Sequence, residues 1–308
     1  MTRLAARLLS AVVLLSAGPV RGEDATTTRV RDVIYGRRAG LALTMDVFRP
    51  AKPNGAAVVM IVSGGFVSAP EKIAPPFAEE LLKRGYTVFA VVHGSQPKFT
   101  VPEIREDVSR AVRFIRHSAK DYGIDPGRIG AGGASSGGLM ALLLGTTATD
   151  GNPDAADAVE RVSNRVRAVV AFFPPTDYLN YSGPGKELLD IHVHPRAIRA
   201  PYDFHDFDPA EGLFQRVADK DRLRAIYRSI SPIYYATTKS APTLLIHGDK
   251  DDLVPLQQSE TFAARLKEAG VPVRLEVKKG AGHGWLTILN DMPTVADWFD
   301  EHLLGKKK

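Results

Sequence analysis

Gly133-Ala134-Ser135-Ser136-Gly137 follows the run Ile129-Gly130-Ala131 and precedes Leu139-Met140-Ala141-Leu142-Leu143-Leu144. A buried strand that turns straight into a helix is the setting in which G-x-S-x-G acquires chemical meaning. The flanking residues must be very small for the turn to close. The serine Oγ is then lifted to the end of the sheet, beside the positive end of the helix dipole. In a chain of 308 residues with 27 glycines the pentapeptide alone is a pattern that chance supplies. Its weight depends on what surrounds it.

Working outward, strand-like apolar runs alternate with helical patterns. Residues 30–35 and 41–48 read as an opening antiparallel pair joined through Gly36 and Gly40. Residues 56–62 and 86–92 are continuous apolar runs of the kind buried strands show. Between them, 77–84 reads as a helix stopped by Gly85. Ile104, Val108, Val112 and Ile115 recur at helical spacing, which predicts one long helix over 101–122 ended by Gly123, its charges a solvated face. Residues 166–173 form another buried run, broken by Pro174-Pro175. Residues 178–230 lose the rhythm. They are dense in Gly, Pro, Asp and His, show no clear strands, and read as a lid-like insertion. Strands are expected again at 243–247 and 273–277, with helices at 259–268 and 295–303. Such alternation implies a mostly parallel central sheet with helices on both faces. Binding then belongs at the carboxyl ends of the strands.

Arg3 and Arg7 precede the apolar stretch 8–17, and small residues lead to Gly22 before Glu23 and Asp24. That layout predicts a signal peptide over 1–22 and a secreted or periplasmic protein. The stretch is shorter than the roughly 20 residues of a spanning helix, so stable membrane insertion is not expected. One folded domain is expected over 28–305. Arg3, Arg7 and Arg21 supply three positive charges of the formal +5, which leaves +2 beyond residue 22, and Lys306–Lys308 carry three positive charges at the very end. The body is therefore near neutral and offers no basic stripe for nucleic acid. With no cysteine, disulfides, thiol catalysis and cysteine metal sites are excluded. At 44% hydrophobic residues, the chain has material for a sizeable core.

A serine hydroxyl is a poor nucleophile until a histidine takes its proton and a carboxylate orients that histidine. Two later strand ends supply both types. His247-Gly248-Asp249-Lys250-Asp251-Asp252-Leu253-Val254-Pro255 offers three aspartates, and Gly280-Ala281-Gly282-His283-Gly284-Trp285 offers a histidine in a glycine-rich loop. The order serine, aspartate, histidine is that of the α/β-hydrolase fold. Together with Val62-Ser63-Gly64-Gly65-Phe66, Gly123 to Ile129 and Ser231-Pro232, these segments resemble α/β-hydrolase esterases. The resemblance runs over roughly residues 30–305. It is to exported bacterial carboxylesterases of the acetyl-xylan, feruloyl and hormone-sensitive-lipase-like type.

That resemblance implies Ser135 as nucleophile, since only Ser135, and not Ser136, has glycine at both −2 and +2, and His283 as general base. It implies Asp251, four residues ahead of Pro255, as the acid, leaving Asp249 and Asp252 as loop-shaping or solvated. It also implies an oxyanion hole from the N–H groups of Ser136 and of the Gly64-Gly65 loop, where the family often has His-Gly-Gly-Gly and this chain has Ser63-Gly64-Gly65-Phe66. The implied substrate is a small-molecule or carbohydrate-linked ester, and neither metal nor other cofactor is required. His192, His194 and His205 with Asp190, Asp203 and Asp206 read as polar surface rather than a metal site. Asp177 reads as a loop anchor, and His93 and His247 as structural. Tyr178, Tyr181, Tyr202, Phe204 and Phe207 either line a pocket or pack the insertion. Two other functions fit the fold: a prolyl-oligopeptidase-like peptidase and a catalytically inactive binding domain. With residues 1–29 ahead of the first strand, the propeller domain that such peptidases carry is not expected. The three reactive residues weigh against the inactive domain.

Overall fold

The computed structural model describes residues 27–306; the leader expected over 1–22 lies outside the described residues. β1 (Thr28–Arg38) and β2 (Leu41–Arg49) form an antiparallel hairpin. Its loop residues Ala39 and Gly40 have φ of 47° and 79°, the twist that a two-residue turn needs. β3 (Ala57–Val62) follows, then α1 (Pro76–Lys83), β4 (Thr87–Val92), α2 (Val101–His117) and the single turn α3 (Ala119–Tyr122). Next come β5 (Ile129–Ala134), α4 (Ser136–Thr146) and β6 (Ala168–Phe172). A small hairpin, β7 (His205–Asp208) and β8 (Leu213–Arg216), precedes α5 (Lys220–Ser229). The chain closes with β9 (Thr243–Gly248), α6 (Gln257–Glu268), β10 (Val273–Lys278) and α7 (Met292–Leu304).

Eight strands form one sheet in the order β1-β2-β4-β3-β5-β6-β9-β10. β2 is antiparallel to both its neighbours, and every pairing from β4 onward is parallel. Side chains alternate between two cores. Val59, Ile61, Phe89, Val91, Val169 and Ala171 face α2, α4 and α6, while Val58, Val88, Ala90, Ala168 and Val170 face α1 and α7. The expected mostly parallel sheet covered on both faces is the one observed. α4 is buried from Ser136 to Gly145, as a helix apolar all round must be.

Two sequence expectations change. The helix over 101–122 is interrupted at Ser118, whose N–H bonds back to Phe114 O at 2.9 Å while Asp121 N–H starts a new turn on its carbonyl at 3.0 Å. This lets Tyr122 set its ring edge-on to Phe89, centroids 4.9 Å apart. Residues 178–230 do contain strands. The β7–β8 residues are almost all exposed, so they carry no buried face whose periodicity could be read. Chain direction across the sheet reverses at β3, which has β4 on one side and β5 on the other. Ligands bind at such a switch point, beyond the carboxyl ends of the strands. Ser63 and Ser135 stand at those two ends.

Candidate active site

Ser135 has φ 54° and ψ −119°, a conformation that costs an L-residue roughly 1–3 kcal/mol. The surrounding turn explains the two glycines. A Cβ at Gly133 would lie 2.5 Å from the Gly137 carbonyl carbon, and one at Gly137 would lie 2.7 Å from Ile61 O. Backbone bonds pin the strained residue: Ser135 N–H donates to Phe172 O at 2.9 Å, and Leu139 N–H donates to Ser135 O at 2.9 Å. Phe66 and Phe173 also have positive φ, 64° and 37°. Both border the same cavity as Ser135, so three strained residues converge on one place.

The histidine loop after β10 brings His283 over Ser135, with Oγ 2.9 Å from Nε2, and Nδ1 lies 2.8 Å from Asp251 Oδ2. A carboxylate beside Nδ1 assigns the proton to that nitrogen and leaves Nε2 to accept from the serine hydroxyl. Phe173 backs the imidazole at 4.6 Å between centroids. Trp285 packs on Phe172 and Phe173 and donates Nε1–H to Asp291 at 2.9 Å, holding the loop down.

Of the three aspartates, Asp251 alone is buried and faces the imidazole. Asp249 accepts from Gly280 N–H at 2.6 Å and so ties its loop to the histidine loop, while Asp252 is exposed. Asp251 Oδ1 accepts the N–H groups of Leu253 and Val254 at 3.0 and 2.8 Å. Oδ2 meets His283 and also lies 3.3 Å from His247 Nε2. Burial alone would raise the Asp251 carboxyl. Hydrogen bonds from His247, His283 and Val254 N–H outweigh it and hold the group well below the usual carboxylate range.

The loop after β3 approaches from the other side. Gly64 N–H is already paired with Val67 O at 3.1 Å, so of the two loop glycines it is Gly65 whose N–H has no partner among the described residues. Ser136 N–H, at the first turn of α4, is free in the same sense. The Ser136 side chain does something the sequence did not reveal. Its Oγ accepts Phe66 N–H at 3.1 Å and lies 2.9 Å from Ser63 Oγ, joining the β3 loop to the elbow.

Ser135 and His283 open into a cavity of about 610 Å³ roofed by residues 178–202. Tyr178, Tyr181 and Tyr202 line it and also pack together, with the Tyr178 and Tyr202 hydroxyls 2.8 Å apart. Phe204 is buried outside the cavity, and Phe207 packs against Phe214 in the exposed hairpin, ring centroids 5.3 Å apart. Asp177 anchors its loop by accepting Leu179 N–H, Asn180 N–H and the Tyr234 hydroxyl. Gln258, which carried no sequence signal, is buried and receives Thr176 N–H and Asp177 N–H, both at 2.7 Å. His194 stacks on Tyr202 at 4.0 Å, and Asp203 and Asp206 pair with Arg216 and Arg222. Among the described residues no group of three histidine or acidic side chains is placed to hold a metal.

A hydroxyl, an imidazole and a buried carboxylate stand in one hydrogen-bonded line, an arrangement in which the imidazole can take the hydroxyl proton while the carboxylate orients it. On this strand order, with the elbow at the end of β5, they define a protein of the α/β-hydrolase fold. The chain belongs to the BD-FAE family, whose model matches residues 45–266. Esterase LipQ of Mycobacterium tuberculosis is 28% identical over 258 residues, which cover 82% of this chain and 55% of LipQ. The chain thus spans about half the length of that curated relative. Among solved structures, the acetyl ester-xyloside bifunctional hydrolase from Caldicellulosiruptor lactoaceticus superposes with a TM-score of 0.69 at 22% identity, covering 88% of this chain and 95% of that one. A truncated carbohydrate esterase from gut microbiota gives 0.70 at 24% identity, covering 92% and 98%.

Proposed function

We propose that the protein is a serine hydrolase that cleaves carboxylic esters through an acyl-enzyme. The observation that carries this reading is the unbroken line from Ser135 Oγ through His283 to Asp251, with steps of 2.9 and 2.8 Å. Ser135 Oγ attacks the ester carbonyl carbon while its proton passes to His283 Nε2, and Asp251 stabilises the imidazolium that forms. The carbonyl oxygen becomes an oxyanion held by the N–H groups of Ser136 and Gly65. The intermediate collapses as the C–O bond to the leaving alkoxide breaks, and the alkoxide takes the proton from Nε2. Water then attacks the acyl carbon, giving a proton to Nε2. Ser135 Oγ leaves with that proton, and the carboxylic acid is released.

The family membership and the likeness to LipQ support ester hydrolysis. The substrate class proposed is a small-molecule or carbohydrate-linked ester, with residues 178–230 acting as a lid over the alcohol side of the cavity. Export through a signal peptide over 1–22 belongs to the same proposal. Among the described residues no helix is long and apolar enough to cross a membrane. The test is a panel of acetyl, longer acyl, feruloyl and aminoacyl substrates. Turnover of esters is expected, and turnover of aminoacyl amides alone would replace this reading with a peptidase.

A further inference from the structure

The five strands β3, β4, β5, β6 and β9 form the middle of the sheet, and all their residues are buried except Met60, Val62, Gly132, Gly133 and Ala134. All five exceptions line a second cavity, of about 410 Å³, on the α1 and α7 face of the sheet. Its walls are apolar, with Phe77 from α1 and Met292 and Val295 from α7. At Gly132 the floor is bare backbone, and a Cβ there would make a tight contact, 3.3 Å, with Val170 O. Exposed Lys72 and Ala74 also border it, so the cavity reaches solvent.

This cavity adjoins the site. Ser63, Gly64 and Ala134 line both it and the 610 Å³ cavity over Ser135. Ala134 immediately precedes Ser135, and Ser63-Gly64 leads into the loop carrying the free Gly65 N–H. An ester carbon bonded to Ser135 Oγ, with its oxygen on Gly65 and Ser136 N–H, would therefore stand beside the residues that border both cavities. Neither the walls nor the floor presents an unpaired buried polar side chain, so the complementary ligand is hydrocarbon.

We propose that this second cavity is an acyl pocket that takes the alkyl chain of a medium-chain carboxylic ester, leaving the cavity under residues 178–202 to the alcohol. The proposal rests on the ester-hydrolase reading above. Each methylene withdrawn from water favours binding by about fourfold, so chain length should be legible in the kinetics. The test compares kcat/KM for p-nitrophenyl octanoate and p-nitrophenyl acetate in the wild type, in Met60→Trp, which fills the floor, and in Ala74→Trp, which narrows the exposed rim. The expected result is that the octanoate-to-acetate ratio falls at least fivefold in the variants. If Met60→Trp does not fold, Ala74→Trp carries the same expectation. A smaller change in the ratio, or a wild type that turns over acetate but not octanoate, overturns the acyl pocket alone. A folded wild type that turns over neither ester overturns the ester-hydrolase reading and the pocket with it.

Discussion

His247 Nε2 lies 3.3 Å from the same Asp251 oxygen that receives His283 Nδ1. His247 is fully buried, its Nε2 is also 2.9 Å from Val254 O, and its Nδ1 is 2.7 Å from Ser259 Oγ. Two acceptors at Nε2 assign the proton there, so His247 donates to the carboxylate and Ser259 donates to Nδ1. The aspartate is thus gripped from both sides. Replacing His247 by Leu removes one of the bonds that oppose the upward push of burial on Asp251. A charge-assisted hydrogen bond contributes roughly 1.5–3 kcal/mol. We expect kcat to fall about tenfold or more, with His247→Gln recovering part of the loss. Steady-state kinetics beside thermal melts check this, and a kcat unchanged in a folded His247→Leu variant contradicts it.

The Ser63–Ser136 hydroxyl pair should set the position of the loop that carries Gly65. Ser136→Ala frees Phe66 N–H as well as Ser63. Its effect is expected in kcat more than in KM, by roughly tenfold, because the loop's donor acts most strongly on the oxyanion. In a double-mutant cycle, Ser63→Ala and Ser136→Ala should be clearly less than additive, as neighbours sharing a bond are. Additive losses would dissociate the two hydroxyls.

Gln258 should be a stability position. Truncation to Ala leaves the buried Thr176 and Asp177 N–H groups without their acceptor, at a cost of about 1–3 kcal/mol for each group. Chemical denaturation should show a loss of 2 kcal/mol or more. A loss under 0.5 kcal/mol would mean that the loop after β6 is held by other contacts.

Acid should weaken the fold through buried neutral histidines. Burial pushes the pKa of both His93 and His194 down to about 4. An unfolded chain binds more protons than the folded one between about pH 4 and the ordinary histidine value near 6.5, so stability is complete above that window and falls as pH drops through it. Each histidine contributes up to about 2 kcal/mol of loss at pH 5. Asp251 acts in the opposite part of the scale. Its lowered pKa gives stability that is present above the unfolded carboxyl value and lost only in stronger acid. Melting temperatures from pH 7.5 to 4.5 should fall for the wild type and fall less for His194→Gln.

Where side-chain pattern and burial coincide, the sequence was readable. The apolar runs of β3, β4, β6 and β9 are buried at nearly every residue, which is why they stood out and why sheet class followed. Ser135, His283 and Asp251 each sit at a strand end within a short motif, and the resemblance to α/β-hydrolase esterases is what singles out Asp251 from Asp249 and Asp252. The break at Ser118 could not be read, since the apolar spacing continues past it. The β7–β8 hairpin is solvated on both faces and leaves no period to count. Gly64 and Gly65 look alike in sequence; only the Gly64–Val67 pairing separates them. Gln258 acts through partners on the loop after β6, which a linear motif does not encode, and nothing in the His247 to Pro255 stretch shows that the histidine folds back onto Asp251.

Ser135 as a nucleophile activated by His283 is tested by intact-mass analysis after fluorophosphonate treatment of the wild type, Ser135→Ala and His283→Ala. We expect a single adduct on the wild type that maps to Ser135, none on Ser135→Ala, and labelling slowed by at least a hundredfold on His283→Ala. An adduct that persists in Ser135→Ala, or a folded wild type that takes none, would contradict it.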